Sequence, residues 1–164
     1  MLVLLGISLR LVPHLPNVVP VVAIALFAGV YLNKRYAPWL ALALMMISDV
    51  MLGLHNVALF TYGSVVAIAF LGIWLRNRKT ISRVIGTSLA SSLLFFVVTN
   101  FGVWLMGWYP RTLEGLINCY TLAIPFFRNM LLGDLAYVAI FFGAYELIAS
   151  RVKSTKLATV LLSK

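Results

Sequence analysis

Apolar stretches alternate with short polar or basic segments along the whole chain, and this pattern predicts its fold. An α-helix needs roughly 20 mostly apolar residues to cross a bilayer core of about 30 Å. The pattern therefore predicts an all-α, polytopic membrane bundle of about six transmembrane helices. The predicted spans cover residues 1–12, 18–32, 39–54, 57–75, 84–106 and 130–149.

The first predicted span is too short for a simple crossing. As a helix, residues 1–12 reach only about 18 Å, which is less than the thickness of the bilayer core. The segment therefore thins the membrane, ends beside Arg10 in a protein-lined cavity, or crosses only halfway. Pro13 and Pro16 then interrupt the helix, because proline lacks an N–H donor and restricts the residue before it.

The connection before the last span is the longest polar segment, and it covers residues 107–119. Residues 120–127 follow it and predict the start of a helix that Pro125 kinks or restarts. We therefore expect the sixth span to begin only at about residue 130, beyond a long polar loop and an irregular helical segment.

Composition restricts the chain to one class of protein. Hydrophobic residues make up 63% of the chain and charged residues 10%, and this balance excludes an ordinary soluble domain. We predict a single integral membrane domain over residues 1–150, in contact with membrane lipid. A basic cytoplasmic tail is predicted over residues 151–164.

The formal net charge of +9 raises the alternative of nucleic-acid binding, which needs a basic face on a soluble fold. The basic residues instead lie between or after apolar stretches, as the positive-inside rule predicts for cytoplasmic loops. They form three groups, at residues 34–35, 76–83 and 151–156. We therefore predict no nucleic-acid partner, and we predict that both termini are cytoplasmic.

Four charged residues are predicted to share one layer in the outer third of the bundle. Asp49 and Asp134 lie near the outer ends of the third and sixth spans, and Arg10 and Arg128 lie at nearly the same level. A charge inside an apolar span costs about 2.5–3.5 kcal/mol on insertion scales, so each needs a partner or water. Two interpretations stay open: the arginines neutralise the acids and join the helices, or the layer lines an outward-facing substrate cavity.

Polar and aromatic side chains near this layer complete a candidate substrate site. In the cavity interpretation, an arginine of the layer donates bidentate hydrogen bonds to a substrate carboxylate or phosphate, and an acid accepts hydrogen bonds from substrate donors. Aromatic walls with a few polar groups are typical of small-molecule sites. The predicted substrate-binding residues are Asn100, Arg128, Asp134, Asp49, Trp104, Tyr120, Phe127 and Asn129.

Small residues at helical spacing form two further features. Ala25, Ala28 and Gly29 share a face of the second span, and Gly86 and Ala90 share a face of the fifth. Such faces let another helix approach closely. The partner helix is either part of the same bundle or belongs to a separate membrane subunit.

Motifs for catalysis are absent from the sequence: it has no GxSxG, no HExxH and no Walker loop. We therefore predict neither an enzyme nor a bound cofactor. The single Cys119 excludes an intramolecular disulfide and a zinc site built from cysteines. A buried free thiol is the favoured interpretation of Cys119, and a thiolate ligand to a metal is the alternative. His14 and His55 are interpreted as interfacial polar residues.

Several motifs resemble a family of small bacterial membrane proteins of unknown function, DUF6580, described only as candidate transport proteins. The most specific parts of this resemblance are two sequence patterns. One is TNFGVW at residues 99–104, and the other begins with IPFF at residue 124 and continues with Asn129 and Gly133-Asp134. Further matches are Pro13-His14, Pro16-Asn17, Ser48-Asp49, His55, Tyr109-Pro110 and Cys119-Tyr120. The resemblance implies a multi-pass protein of the bacterial inner (plasma) membrane.

That family in turn resembles the S components of energy-coupling-factor vitamin transporters, which are six-helix bundles with an outward-facing pocket. The resemblance implies capture of a vitamin-like micronutrient, and partners in an energy-coupling transmembrane subunit and its ATPases. It also implies that Ala25, Ala28 and Gly29 face the partner subunit. Some solitary relatives handle cobalamin through a cysteine thiolate, a role that Cys119 would take here.

These observations lead to one hypothesis and two alternatives. The hypothesis is a transport protein that captures a small, partly anionic micronutrient from outside the cell. The first alternative is a structural or assembly subunit of a larger membrane complex, recruited through one of the small-residue faces. The second is an ion- or proton-coupled carrier that uses Asp49 and Asp134 directly.

Overall fold

Six α-helices form the part of the chain that the computed structural model describes, which is residues 2–11 and 17–152. No β-strand occurs within these residues, so the all-helical expectation is confirmed. The predicted break at Pro13 and Pro16 and the predicted tail from residue 153 lie outside the described residues. The helices are α1 (Leu2–Leu11), α2 (Val21–Tyr31), α3 (Ala37–Leu52), α4 (Ala58–Leu75), α5 (Ile81–Leu105) and α6 (Leu113–Val152).

Three of the described helices are long and apolar enough to cross a membrane. They are α4 with the 3-10 turn that follows it (Ala58–Arg78), α5 and α6. The helices α2 and α3 are apolar but have only 11 and 16 residues, and α1 has 10. The helix count agrees with the prediction, whereas six full-length spans are confirmed only in part.

The helix α2 lies at the centre of the bundle and contacts each of the other five helices. Every residue from 21 to 30 is buried, because this segment is apolar on all its faces. At its crossing with α4, a Cβ added to Gly29 would overlap Ala69 O and lie 2.7 Å from Gly72 Cα. The two glycines therefore allow the closest backbone approach between α2 and α4.

This position of α2 favours one of the two interpretations of its small-residue face, namely contact inside the same bundle. Ala25 and Ala28 have no exposed surface, and Gly29 is buried against α4. The small-residue face is therefore used inside the bundle and is not open to a partner subunit. Gly86 and Ala90 are exposed on α5, and a Cβ at Gly86 would meet nothing within 4 Å.

Side-chain contacts bring the basic segments of the chain to one end of the bundle. Arg76 donates to the carbonyl oxygens of Gly29, at 2.8 Å, and Leu32, so it satisfies acceptors at the end of α2. Glu146 on α6 accepts from Tyr31 Oη at 2.6 Å and from Lys79 Nζ at 2.8 Å. We call this the basic end, because the loop at residues 33–36 and the segment at residues 76–83 lie here.

The helix α6 is longer than the sequence pattern predicts. It begins at Leu113, so the predicted connection over residues 107–119 is wrong in its second half. Thr112 Oγ1 accepts from the Gly115 N–H at 3.1 Å and satisfies a free donor in the first turn. Pro125 lies inside α6 and does not end it, as is common in membrane helices where neighbouring groups replace the lost hydrogen bond. At 40 residues, α6 extends about 60 Å.

Candidate functional site

A buried ion pair joins α1 to α3 at the end of the bundle opposite the basic end. Arg10 Nη1 lies 2.9 Å from Asp49 Oδ1, and the side chain of Asp49 is only 1% exposed. Arg10 also donates to Ser48 Oγ and lies 3.4 Å from Met45 Sδ. The predicted neutralisation of Asp49 by Arg10 is therefore confirmed.

His55 belongs to the same cluster, which the sequence analysis did not predict. Its Nε2 lies 3.4 Å from Asp49 Oδ2. Gly53 ends α3 with φ of 104°, a conformation that L side chains rarely adopt, and the chain then turns back towards Asp49. His14, the other histidine, lies outside the described residues.

A small cavity lies between α5 and the first half of α6. Its volume is about 110 Å³. Two of the predicted substrate-binding residues, Asn100 and Phe127, line it. The full lining is Asn17, Phe95, Phe96, Thr99, Asn100, Ala123, Phe126, Phe127 and Met130.

Polar atoms of the cavity lining remain available for a bound molecule. Asn100 Nδ2 donates to Phe96 O at 2.8 Å, and its Oδ1 has no hydrogen-bond partner among residues 2–11 and 17–152. Thr99 Oγ1 donates to Phe95 O at 2.7 Å and can still accept a hydrogen bond. Asn17 adds an amide from the segment before α2. The lining can therefore accept hydrogen bonds from a solute between aromatic walls.

Aromatic and sulfur contacts hold the α5–α6 hairpin together around this cavity. The rings of Phe96 and Phe127 are 4.5 Å apart, centre to centre. Tyr120 Oη donates to Val97 O at 2.7 Å, and Trp104 Nε1 donates to Pro110 O at 3.0 Å. The buried Cys119 thiol donates to Asn100 O at 3.4 Å. Tyr120 therefore joins α6 to α5, Trp104 joins α5 to the connection before α6, and neither residue lines the cavity.

The remaining predicted site residues do not meet in one layer. Arg128 is exposed and makes no hydrogen bond or ion pair with any residue that the structure describes. Asp134 follows Arg128 by six residues, which places it about 240° further around the helix axis. It therefore lies on another face of α6, where it is buried. Asn129 is half-buried and does not line the cavity. Within the described residues, Arg128 therefore does not neutralise Asp134, and of the two arginines of the predicted layer only Arg10 pairs with an acid.

Asp134 lies instead between α5 and α6, against a face of α5 that carries three buried serines. It is 1% exposed, and its Oδ2 accepts from Ser92 Oγ at 2.7 Å. Its Oδ1 has no partner within the described residues, and the same is true of the buried hydroxyls of Ser88 and Ser91. These serines were not among the predicted site residues, although their i, i+3 and i+4 spacing places them on one helix face.

No group of three or more His, Cys, Asp or Glu residues that could hold a metal ion occurs in the described part of the chain. Cys119 meets none of the acids or histidines there at bonding distance, and its thiol is used in the contact with Asn100. The cavity between α5 and α6 and the cluster around Asp134 are therefore the two candidate sites that follow from the structure.

The architecture is a bundle of six described helices, three of which are able to cross a membrane. The chain belongs to the Family of unknown function (DUF6580), whose model matches residues 1–157. Searches of curated proteins and of solved structures gave no match.

Proposed function

We propose that this protein is a multi-pass protein of the bacterial inner membrane that binds a small solute between α5 and α6 and carries it inward. The observation that supports it best is the cavity itself, which combines an unpartnered amide oxygen of Asn100 with the contacting rings of Phe96 and Phe127. Apolar, aromatic walls with a few convergent polar groups are typical of small-molecule sites.

The chemistry of the lining indicates the kind of solute. Asn17, Thr99 and Asn100 offer amide and hydroxyl groups, and none of the described residues that line the cavity is charged. Because Arg128 does not reach it, the proposed solute is a neutral, planar molecule with hydrogen-bond donors. This differs from the partly anionic micronutrient that the sequence favours.

Transport of a vitamin-sized solute requires the cavity to enlarge. Small-molecule pockets usually have volumes of about 300–1,000 Å³, and the present cavity has about 110 Å³. Before Pro125, α6 contacts α5 through Tyr120, whereas beyond Pro125 it packs on α2 through Phe142 and Tyr145 and keeps a contact with α5 through Phe127. Pro125 removes one helical hydrogen bond, so we place the hinge there and expect the segment before it to move.

An energy-coupling transmembrane subunit with ATPases is the proposed partner if uptake is active, because the sequence has no nucleotide-binding loop. The buried face of α2 does not support docking through Ala25, Ala28 and Gly29. Any contact with such a subunit is therefore proposed to use another surface of the bundle.

Filling the cavity is expected to abolish solute binding. We expect native mass spectrometry of the protein in mild detergent to show a reproducible small adduct, whose mass identifies the solute. Ala123→Leu should remove at least about nine tenths of it, since a buried leucine excludes a solute from a cavity of this size. Asn100→Leu should act similarly, because it removes the accepting oxygen.

Thr121→Leu is the matched control, because residue 121 is on the same helix but exposed. It should leave the adduct unchanged. Two results would contradict binding in this cavity. One is an adduct that Ala123→Leu leaves undiminished, and the other is a purified protein that shows no adduct with any solute tested.

The buried Asp134 favours a second candidate function, that of an ion- or proton-coupled carrier. A carboxylate in a membrane helix with one unpartnered oxygen and a serine hydroxyl bonded to the other is the kind of group that exchanges a proton or a small cation. Ser92 would then act as the neighbouring ligand or hydrogen-bond partner.

Asp134→Asn separates the two candidate functions. In proteoliposomes, we expect accumulation of the solute identified by mass to fall at least about tenfold, because asparagine cannot exchange a proton at this position. Solute exchange without a gradient should persist, since the cavity is unchanged. Accumulation that is as high in Asp134→Asn as in the wild-type protein, and insensitive to an uncoupler, would exclude the coupled carrier.

A further inference from the structure

A second concave surface lies at the basic end, between α3 and α4. It is an open groove of about 350 Å³, larger than the cavity between α5 and α6. Trp39, Leu42, Val66 and Phe70 form its apolar wall, and Lys34 and Arg35 form its rim. We call it the α3–α4 groove.

The apolar wall is exposed to the surroundings of the bundle. Trp39 is 67% exposed and Phe70 is 57% exposed, and they come from opposite sides of the groove. Since α4 is able to cross a membrane, its exposed aromatic side chains face the acyl chains of lipid in the proposed setting. Trp39 lies in the first turn of α3. In the proposed setting this position is at the membrane–water interface, where tryptophan is enriched.

The two cations of the rim lack a protein counter-ion. The side chains of Lys34 and Arg35 make no hydrogen bond or ion pair within the described part of the chain. The chain has only four acidic residues. Asp49 is paired with Arg10 at the opposite end, Asp134 is buried among serines, and Glu146 accepts from Lys79.

The fourth acid does not change this conclusion. Glu114 lies in the first turn of α6, at the end of the bundle remote from the basic end. The positive charge at the rim of the groove is therefore open to an anion from outside the chain. An arginine beside a lysine suits a phosphate group in particular, because the guanidinium can donate two parallel hydrogen bonds.

We propose that the α3–α4 groove binds an anionic membrane phospholipid, with its phosphate at Lys34 and Arg35 and one acyl chain along Trp39 and Phe70. The charge of the rim and the apolar character of the wall match the two parts of such a lipid. Basic pockets between helices at the positive side of membrane proteins hold anionic headgroups in the same way. This site is separate from the solute cavity and does not depend on it.

Charge removal at the rim tests the headgroup contact. In native mass spectrometry with added phosphatidylglycerol, the double variant Lys34→Gln/Arg35→Gln should bind the lipid about 30-fold more weakly, from the usual contribution of two basic side chains near a lipid surface. The matched control Arg78→Gln/Arg83→Gln removes the same charge at the same end but outside the groove. It should change the affinity less than about twofold.

Two competitors distinguish the alternative occupants. Phosphatidylcholine with the same acyl chains should bind at least about tenfold more weakly than phosphatidylglycerol, because it carries no net negative charge. Inorganic phosphate at the same concentration should not displace the lipid, because it cannot occupy the apolar wall. Equal binding of both lipids, displacement by phosphate, or an equal loss in both double variants would each overturn the proposal. A melting temperature unchanged in both variants ensures that the fold is intact.

Val66→Trp tests the acyl-chain contact independently of charge. Val66 is half-buried in the groove wall, and a larger ring there should fill part of the space for the chain. We expect weaker binding of phosphatidylglycerol, by about tenfold, with the rim cations unchanged. Unaltered binding in Val66→Trp would contradict an acyl chain in the groove.

Discussion

Gly29→Ala is expected to destabilise the protein by about 3 kcal/mol or more, the upper part of the range for overpacked cores. The added Cβ would overlap Ala69 O and lie 2.7 Å from Gly72 Cα. Both neighbours are backbone atoms of α4, so no side-chain rotation can relieve the contact. The central helix α2 must move away from α4, and its contacts with the other helices weaken as a result.

The measurement is thermal or denaturant unfolding in mild detergent, followed by circular dichroism and by the monomer fraction on a sizing column. Gly63→Ala is the matched control, because Gly63 is a helical glycine of α4 and a Cβ there meets nothing within 4 Å. It should be neutral or slightly stabilising, since alanine favours a helix over glycine by up to about 1 kcal/mol. Equal stability of the two variants would show that α2 and α4 do not cross at these glycines.

Arg10→Leu is expected to cost about 3–5 kcal/mol, because it leaves a buried carboxylate without its counter-ion. Asp49 is 1% exposed, and the Arg10 side chain is 15% exposed. The helix α1 has only 10 residues, too few for stability in isolation, so we expect it to detach from α3. Protection of the α1 amides from hydrogen exchange should fall by at least about 100-fold.

The double variant Arg10→Leu/Asp49→Leu provides an internal test. It should recover much of the lost stability, because replacing both partners of a buried pair by apolar groups is often neutral. The control is Lys79→Ala, which breaks an ion pair whose members are 35% and 56% exposed. Solvent screening limits that effect to about 1 kcal/mol or less. Equal losses for Arg10→Leu and Lys79→Ala would contradict a buried role for the Arg10–Asp49 pair.

Parts of the fold follow from local sequence alone. Long apolar segments between basic loops predict helices, and the observed α3, α4 and α5 begin and end within about four residues of their predicted limits. The start of α6 was placed incorrectly, because Trp108, Tyr109 and Pro110 resemble a long loop. Thr112 and the close contact between Gly115 and Pro110 start the helix earlier.

The candidate sites were predicted less completely than the helices. Two of the predicted substrate-binding residues, Asn100 and Phe127, line a cavity in the structure, and Arg10, which was predicted to lie in the same layer as Asp49, pairs with it. Arg128 was predicted to face the same cavity from its depth along the helix. Depth alone gives no direction around the helix axis, and Arg128 is exposed and does not line the cavity.

The amino-acid sequence by itself determined the helical class of this protein, the positions of most helices and the segregation of its basic loops. Those properties depend on neighbouring residues, on hydrophobicity and on the cost of an unpaired charge in an apolar span. Only the tertiary structure decided that α2 is the central helix, that Gly29 packs on α4, and that Asp134 meets Ser92. The physical reason is that a helix apolar on every side has no hydrophobic pattern that shows which face packs inward. Contacts with residues distant in sequence therefore determine that face.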